Sequence, residues 1–435
     1  MGLAVVRRAV RRAVAARADR HGHARRGRGR GLHRRGAGVR VLALPSLPEQ
    51  EVKTVAEALI ERAVGWRQGV VSQLHPVPHS LSDVDVEGWA AVPEPFATGG
   101  TSGGTSKIAA IAEALERHAA ARAPLEIVTD GPCWPLEHFS LHTVEQRVRG
   151  DYRYRKGYVD TKYTRAWTLP DNEPIRVPAG LVGLDASYGL PATSSGLAAG
   201  PSTTSALLRA TQELVERDAF TSTWLHSIAP QRFSTDLPHG VQAFDLTPAY
   251  SPHPVIAVAG SLPIAGKPRP TLGLACRATV AEALRKAYEE WVQGTVFIEV
   301  WLARNGDQPV EEATDFDKHA VYYATHPEKW DALPWFSGFE TDPPDDAKSR
   351  GTKEELTELV HALAGKEIRL AYRELTTPEL SAVGLHCVRV LSPDLAPLHA
   401  DHRWPHLGGR ARELDWRYPH ASPGVFPNPA PHPLG

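Results

Sequence analysis

The sequence predicts a mixed α/β protein. Long helical stretches rich in Ala, Leu and Glu alternate with short apolar segments of strand character, and Gly/Ser/Thr-rich loops lead into two of the helices. Two helical stretches carry the same pattern, Glu-x-x-Glu-Arg, about one hundred residues apart. A chain of 435 residues with 42% hydrophobic and 23% charged residues can form two or three cores.

The first forty residues differ from the rest, because they contain thirteen Arg and one Asp. We interpret residues 1–41 as a disordered leader or a misassigned start, residues 42–95 as an N-terminal segment, and residues 96–435 as the main domain. The remaining chain is net acidic, so we expect no nucleic-acid partner. Three scattered cysteines without a CxxC pair indicate a reducing, cytoplasmic location. No apolar run approaches the ~20 residues of a membrane span.

The first pattern contains Glu113, Glu116 and Arg117, in a helical stretch that begins near Ser106. The preceding loop from Thr98 is rich in Gly, Ser and Thr. Glycines permit close backbone approach, and free N–H groups at a helix N-terminus attract phosphate. The loop matches neither a P-loop nor a Rossmann fingerprint, so by itself it is a weak signal.

The middle of the chain predicts a hairpin and then the second patterned helix. Residues 165–169 and 175–182 have strand character around a turn. A second Gly/Ser-rich segment begins at Thr193 and includes Ser194 and Ser195. It leads into a helix that we expect to end near Trp224. This helix carries Glu213, Glu216 and Arg217.

The third helix is predicted from Ala281 to Trp301, after a Thr279-x-x-Glu282 capping signal. It carries Glu289, Glu290 and Gln293. Around it, strands are predicted at 255–260, 271–277, 368–375 and 384–391, and a helix at 353–363, within an otherwise loop-rich segment from 304 to 366. Twenty histidines form no HExxH or similar motif, so we interpret most of them as core or surface residues.

Residues three and four apart share one helix face, so each pattern presents its acidic residues together. Five glutamates that converge would repel each other unless cations separate them. Mg²⁺ takes carboxylate oxygens, water and phosphates, and arginines can bind phosphate oxygens. We therefore predict a magnesium–nucleotide site suited to phosphoryl transfer. The predicted metal ligands are Glu113, Glu116, Glu213, Glu216 and Glu290.

These motifs together resemble the YcaO family. The matching segments are 99–120, with its Glu-Ala-Leu-Glu-Arg, 193–200, 213–224, 287–293 and 316–328. The Pro-rich end, 427–435, resembles the PxPxP terminus of the azoline-forming cyclodehydratase branch. The resemblance covers roughly residues 60–435, so 96–435 would be the YcaO domain with this tail.

The resemblance implies packed α/β subdomains, with ATP and Mg²⁺ bound between the glutamate-bearing helices. Nucleotide contacts would come from Ser194, Ser195, Arg117, Arg217 and Gln293. It also implies a precursor peptide whose Cys, Ser or Thr residues become azolines after phosphorylation of the backbone amide oxygen. A separate ThiF-like protein would bind the peptide leader, and a homodimer is compatible. In this branch Pro431 and Pro433 would stiffen the tail, so that the carboxylate of Gly435 could accept a proton.

Four positions depart from the family pattern, namely Ala109, Ser195, Ser205 and Thr295. These departures leave two alternatives open beside the cyclodehydratase. One is a thioamide-forming enzyme of the same fold, and the other is a non-catalytic binding partner with a decayed ATP site. Because the glutamates and both arginines are present, we favour the active cyclodehydratase.

Overall fold

The computed structural model describes residues 59–65, 70–77, 79, 88–93, 98–99, 106–139, 141–191, 193–345 and 348–435. The Arg-rich leader, much of the predicted N-terminal segment and residues 100–105 of the first glycine-rich loop lie outside these ranges.

The strands are β1 Val71–Val77, β2 Gly88–Pro93, β3 Thr98–Gly99, β4 Tyr163–Leu169, β5 Pro174–Pro178, β6 Leu197–Gly200, β7 Gln231–Phe233, β8 Val241–Asp245, β9 Val255–Ile264, β10 Lys267–Cys276, β11 Glu340–Thr341, β12 Leu370–Glu374 and β13 His386–Leu391. The α-helices are α1 Ser106–Arg122, α2 Leu136–Phe139, α3 Val144–Val148, α4 Arg155–Val159, α5 Ala179–Val182, α6 Thr203–Leu225, α7 Val280–Asn305, α8 Phe316–Thr325, α9 Pro327–Trp330, α10 Thr352–Ala364 and α11 Pro378–Ala382. Three short 3₁₀ turns are Ala186–Tyr188, Pro334–Ser337 and Gly409–Arg412.

The strands form three sheets. The first has the order β1-β2-β3, the second β10-β9-β8-β7-β11, and the third β5-β4-β12-β13-β6. Most neighbours are antiparallel, and β7 with β11 is a parallel pair. Consequently β10 is an edge strand of the second sheet and β6 is an edge strand of the third.

Helix α6 occupies the centre of the molecule, between the second and third sheets. It contacts β13 and β6 on one side and β10 on the other. Most of its residues are buried, including Phe220 and Trp224. A helix that is buried nearly all round does not show one apolar stripe, because every face meets protein.

The second sheet is covered on both faces. Val255 and Leu274 pack into the core that contains α6, whereas Ile256, Val258 and Ala275 pack against α7. Alternate residues of a strand point to opposite faces, which explains this division. Helices α6 and α7 therefore flank the sheet near its edge strand β10.

Helix α1 packs against β1, β2 and β3 of the first sheet and against β6 and β13 of the third. Its buried face carries Ala110, Ile111, Ala114 and Leu115. The glutamate-bearing helices thus lie beside the edges of two sheets, α1 at β6 and α6 at β10.

The mixed α/β prediction is confirmed, and the three long helices lie where the sequence placed them. Some local predictions were wrong. The strand predicted at 175–182 ends at Pro178 and continues as helix α5. Residues 197–200, predicted as loop, form β6, which pairs with β13. The segment predicted as loop-rich contains α8, in which aromatic residues such as Tyr323 supply a buried face.

Candidate functional site

The acidic patterns lie on three helices, and the starts of two of them, α6 and α7, are encoded locally. Ser202 caps α6 by accepting the N–H of Ser205. Thr279 caps α7 by accepting the N–H of Glu282 at 3.2 Å, as the capping signal predicted. Such caps satisfy donors that the first turn of a helix cannot pair internally.

Glu116 connects α1 to the edge of the third sheet. Its Oε2 accepts the backbone N–H of Ala199 in β6, at 3.1 Å. Because β6 is an edge strand among the described residues, its outward N–H groups face no other strand there, and a carboxylate can accept one of these N–H groups. The contact fixes the glutamate of α1 at the segment that follows the Thr193 loop.

Glu216 has the equivalent position at the other sheet. Its Oε2 accepts the backbone N–H of Cys276 in edge strand β10, at 3.0 Å. The side chain is buried. The two glutamates that occupy the fourth position of each Glu-x-x-Glu-Arg pattern therefore make the same kind of contact, one with each sheet.

The glutamates of different helices are close enough to influence each other's ionisation. The pKa of Glu116 is raised to about 8, first by burial, with Arg117 opposing and with Glu213 and Glu113 adding to the shift. Glu213 of α6 therefore lies near enough to Glu116 of α1 for its charge to raise that pKa.

Helix α7 joins the same cluster through Glu290. Burial is the largest cause of the raised pKa of Glu216, about 8, and Glu290 contributes to it. Burial also raises the pKa of Glu213, against the charges of Arg217 and two further arginines. All five predicted carboxylates are therefore brought together, while Lys286 lies 3.2 Å from Glu290.

The arginine of each Glu-x-x-Glu-Arg pattern lies at the cluster and forms long ion pairs with its glutamates. Arg117 Nη2 is 3.4 Å from Glu113 Oε1, and its buried Nε has no partner within the described part of the chain. Arg217 lies 3.6 Å from both Glu213 and Glu216. At these distances the guanidinium groups retain donors for an anion such as phosphate.

The Thr193–Ser195 loop is held by an arginine that the sequence analysis missed. Arg389 of β13 is fully buried and donates to the carbonyl oxygens of Val182, Ser195 (2.7 Å) and Thr193 (2.5 Å). Burial lowers its pKa to about 10, while Glu213 and Glu116 favour its charged form. The only indication of this role in the sequence was the position of Arg389 among the apolar residues of the strand predicted at 384–391.

Gly196 allows the same loop to approach the sheet. Its φ is +79°, and an added Cβ would lie 2.3 Å from the carbonyl oxygen of Val390. No side chain fits there, so a glycine is required at this point. Ser195 is buried, and Ser194 accepts the N–H of Leu197 through its carbonyl.

Two further departures from the family pattern, Thr295 and Ser205, have ordinary structural roles. Thr295 is buried and its hydroxyl donates to the carbonyl of Trp291 in the preceding helical turn. Ser205 donates its N–H to the cap residue Ser202. Gln293 lies on α7 one turn after Glu290 and is partly exposed.

The Pro-rich tail runs back along α6 from the C-terminal end of that helix. Asn428 donates its N–H to the carbonyl of Leu225, and the indole N–H of Trp224 donates to the carbonyl of Ala430. His432 then lies 6.2 Å from Phe220, centroid to centroid, and near enough to Arg217 to be affected by its charge. The tail therefore approaches the level of the acidic cluster.

The last residues are more deeply packed than a free terminus. Residues 431–434 are buried, and Leu434 belongs to the central core. Gly435 itself is exposed and lies against α8, where an added Cβ would be 2.6 Å from Ala320 Cβ. Pro431 accepts the hydroxyl of Tyr323 through its carbonyl oxygen.

A buried ion-pair network fixes α6 directly beyond its second glutamate. Asp218 accepts from the guanidinium of Arg417 at 2.7 Å, from the hydroxyl of Tyr250 at 2.7 Å, and from the N–H of Ala396 at 2.7 Å. Both members of the ion pair are fully buried. Removing one partner of such a pair costs about 3–5 kcal/mol.

Chemically, the cluster is a set of carboxylate oxygen donors next to two guanidinium groups with long ion-pair distances. Raised carboxyl pKa values mean that a divalent cation must displace protons to bind, and hard cations such as Mg²⁺ favour this donor set. The arrangement fits a metal-bound polyphosphate, with metal at the carboxylates and phosphate oxygens at the arginines.

Comparison with known proteins identifies relatives of this chain. The family model for the YcaO cyclodehydratase, described as ATP- and Mg²⁺-binding, matches residues 99–396. The comparison with curated proteins gave no match. Among the helices of the described residues, none is long and apolar enough to cross a membrane.

Several solved structures share the fold. A heterocyclase in complex with substrate and cofactor is 18% identical with a TM-score of 0.66, over 88% of this chain and 57% of that one. YcaO from Methanopyrus kandleri, bound with AMPPCP and Mg²⁺, is 20% identical with a TM-score of 0.59, over 80% of this chain and 91% of that one. The E. coli microcin synthetase McbBCD complex is 16% identical with a TM-score of 0.52, over 75% and 88%. The chain thus spans less than two thirds of the heterocyclase chain it matches.

Proposed function

Because the chain belongs to the YcaO family, which is described as binding ATP and Mg²⁺, we propose that it is an ATP-dependent peptide cyclodehydratase. The proposed substrate is a ribosomally made precursor peptide, in which Cys, Ser or Thr side chains close onto the preceding backbone amide. The observation that carries the proposal is the convergence of five carboxylates from three helices beside two under-paired arginines.

The residues fit the cofactors that the family implies. Glu113, Glu116, Glu213, Glu216 and Glu290 would hold Mg²⁺. Arg117 and Arg217 would bind phosphate oxygens, since the Nε of Arg117 is buried and unpartnered within the described residues. When bound, ATP supplies the phosphoryl group that turns a poor leaving group, the amide oxygen, into a good one.

The protein's own contribution is positioning and charge neutralisation. Arg389 keeps the Thr193–Ser195 loop in place, so Ser194 and Ser195 can contact the nucleotide. Gln293 would add a contact from α7. Ring closure consumes one ATP and releases ADP and phosphate, so the peptide loses the elements of one water per azoline.

The tail would supply the proton acceptor. The attacking thiol or hydroxyl and the amide N–H must lose protons during ring formation, and the carboxylate of Gly435 is the proposed base. The approach of the tail along α6, which brings His432 near Arg217, supports this role. Pro431 and Pro433 restrict the backbone, which lowers the entropy lost when the end is ordered.

We also propose a separate ThiF-like protein that binds the peptide leader, since the resemblance implies one. A thioamide-forming activity is the second candidate, favoured by the shared fold alone. All five predicted carboxylates are present among the described residues. A non-catalytic protein with a decayed ATP site is therefore the least supported of the three alternatives, despite the four departures from the family pattern.

The test is incubation of the protein with ATP, Mg²⁺, a precursor peptide encoded beside its gene and the neighbouring ThiF-like protein. We expect ATP-dependent loss of one water per modified residue, measured by mass spectrometry. Exchange of oxygen for sulfur would instead identify thioamide formation. An unchanged peptide and no peptide-stimulated ATP hydrolysis would contradict both activities.

Protons should leave the cluster when Mg²⁺ binds. The folded-state pKa of Glu116 is about 8, above the unfolded value of 4.5, so its contribution to stability is complete below pH 4.5 and is lost as the pH rises towards 8. Mg²⁺ favours the ionised carboxylates. We therefore expect the Mg²⁺-induced rise in Tm to be larger at pH 8 than at pH 6.

The measurement is thermal unfolding with Mg²⁺ or with EDTA at both pH values. The control is Glu116→Gln, which leaves the neighbouring groups Arg117, Glu113 and Glu213 unchanged. In this variant the Mg²⁺-induced rise in Tm should depend less on pH. Equal Mg²⁺ effects at pH 6 and pH 8 in the unmodified protein would contradict the raised pKa.

A further inference from the structure

Three buried histidines from distant parts of the chain meet beside the tail. His319 lies on α8, His399 follows β13, and His432 belongs to the tail. All three side chains are buried, and one ring nitrogen from each lies within 4.8 Å of the others. This three-histidine cluster contains none of the five glutamates and has no part in the proposed reaction.

The hydrogen bonds of the cluster leave one nitrogen of His319 and one nitrogen of His432 without a hydrogen bond within the described residues. His319 Nδ1 lies 2.7 Å from the carbonyl oxygen of His432, and His432 Nε2 lies 2.8 Å from the carbonyl oxygen of His399. A carbonyl oxygen can only accept, so each of these nitrogens carries the proton. In a neutral ring the other nitrogen, Nε2 of His319 and Nδ1 of His432, is then an acceptor.

These acceptors have no partners among the described residues. His319 Nε2, His432 Nδ1 and both nitrogens of His399 are buried without a hydrogen bond. Buried polar atoms are nearly always paired, so four unpaired nitrogens in one place need an explanation. A ring that donates one N–H to a backbone carbonyl while the other nitrogen stays free is the usual arrangement of a metal-binding histidine.

The rings are also in the protonation state that a metal requires. Burial lowers the pKa of His319 to about 4 and holds the pKa of His399 and His432 well below the usual value. Neutral imidazole is the ligand form, whereas imidazolium has no lone pair to offer.

We propose that His319, His399 and His432 form a structural Zn²⁺ site that fastens the tail to α8 and to the segment after β13. Imidazole nitrogens suit zinc and neighbouring transition metals, whereas Mg²⁺ requires oxygen ligands. His402 can complete a tetrahedral site. Its Nε2 lies 2.9 Å from the Pro429 carbonyl, its buried Nδ1 is unpartnered within the described residues, and its ring centroid is 6.2 Å from that of His399.

Binding requires a small rearrangement of the rings. Zn–N bonds of about 2.0–2.1 Å in a tetrahedron place ligand nitrogens roughly 3.4 Å apart, closer than the 4.8 Å limit that encloses them here. His319 and His432 are stacked with centroids 3.8 Å apart and planes 13° from parallel. Zinc binding therefore requires rotation about the side-chain torsions of the histidines, so that one nitrogen of each ring faces a common point.

The first experiment measures metal content. The untagged full-length protein, purified after cleavage of an N-terminal non-histidine tag, should contain about one equivalent of zinc by mass spectrometry of the elements. After chelation, Co²⁺ in the presence of excess Mg²⁺ should give the intense visible absorption of a tetrahedral nitrogen site. An octahedral oxygen site at the glutamates would absorb only weakly.

The variants His319→Ala and His432→Ala should lose the bound zinc and the cobalt absorption. His361→Ala, on the exposed side of α10, is the matched control and should retain both. If a cluster variant does not fold, the unmodified protein still decides the matter. Zinc should raise its Tm, and chelation should speed removal of the tail by carboxypeptidase.

The proposal is overturned if the unmodified protein contains well below one-tenth of an equivalent of zinc and neither Zn²⁺ nor Co²⁺ alters its Tm or absorption. It is also overturned if both cluster variants fold and retain the metal. None of these measurements uses peptide or ATP turnover, so their outcome is independent of the proposed enzymatic function.

Discussion

Replacing Glu116 or Glu216 with Gln is expected to reduce peptide-dependent ATP hydrolysis strongly while the protein stays folded. Each substitution removes one negative charge from the carboxylate cluster but keeps an oxygen that can accept the N–H of Ala199 or Cys276. We expect turnover to fall on the order of 10²-fold or more, as for other lost electrostatic contacts with a reacting group. Nucleotide affinity in the presence of Mg²⁺ should fall as well.

Stability provides the internal check on these two variants. An ionised glutamate in this cluster is disfavoured by burial, so a neutral Gln should not lower the Tm measured in EDTA. Glu340→Gln is the control, because Glu340 forms an exposed pair with Arg232 on the second sheet. Wild-type turnover in both cluster variants would contradict the proposed nucleotide site.

Changing the end of the tail is expected to stop ring formation without preventing nucleotide binding. Deletion of residues 431–435 is a poor variant, because it also removes Leu434 from the core and His432 from its contacts. A C-terminal amide, made by protein ligation, removes only the proposed base at Gly435. We expect peptide dehydration to fall by about 10²–10⁴-fold, the usual contribution of general acid–base catalysis.

The control is the same ligation with a free carboxylate, which should have full activity. Nucleotide affinity and Tm should be equal in the two ligated proteins, because the amide occupies nearly the same volume as the carboxylate. Full dehydration by the amidated protein would show that Gly435 is only a terminus. In that case the carboxylate cluster would remain the candidate site, and another base would be needed.

Local sequence signals predicted the helices that carry the cluster. Helical composition and an N-cap at Thr279 are properties of a few neighbouring residues, and they were sufficient for α6 and α7. The repeated Glu-x-x-Glu-Arg pattern also indicated which faces carry the acidic groups. The convergence of these faces was inferred from charge repulsion and family resemblance, and the effect of Glu213 on the pKa of Glu116 agrees with it.

Contacts between distant segments could not be predicted in the same way. Arg389 donates a hydrogen bond to the carbonyl oxygen of Ser195, which lies 194 positions earlier in the sequence. The apolar strand around Arg389 gave no indication of this contact. His399 and His432 meet only because the tail folds back along α6, and the sequence analysis had interpreted these histidines as core or surface residues. Helix α5 was misread because a short apolar run fits a buried strand equally well.

The pairing of Asp218 with Arg417 has a consequence for synthesis on the ribosome. The two residues are separated by 199 positions, and Asp218 lies two residues after Glu216 in α6. Domains fold from the N-terminus as the chain emerges, so α6 is made long before its buried carboxylate can find the guanidinium partner. Until Arg417 leaves the exit tunnel, packing α6 between its sheets would bury the charge of Asp218 without its partner. Such a buried unpaired charge costs about 3–5 kcal/mol. Helix α6, and the glutamates that it carries, can therefore reach its native packing only after the segment that contains Arg417 has been synthesised.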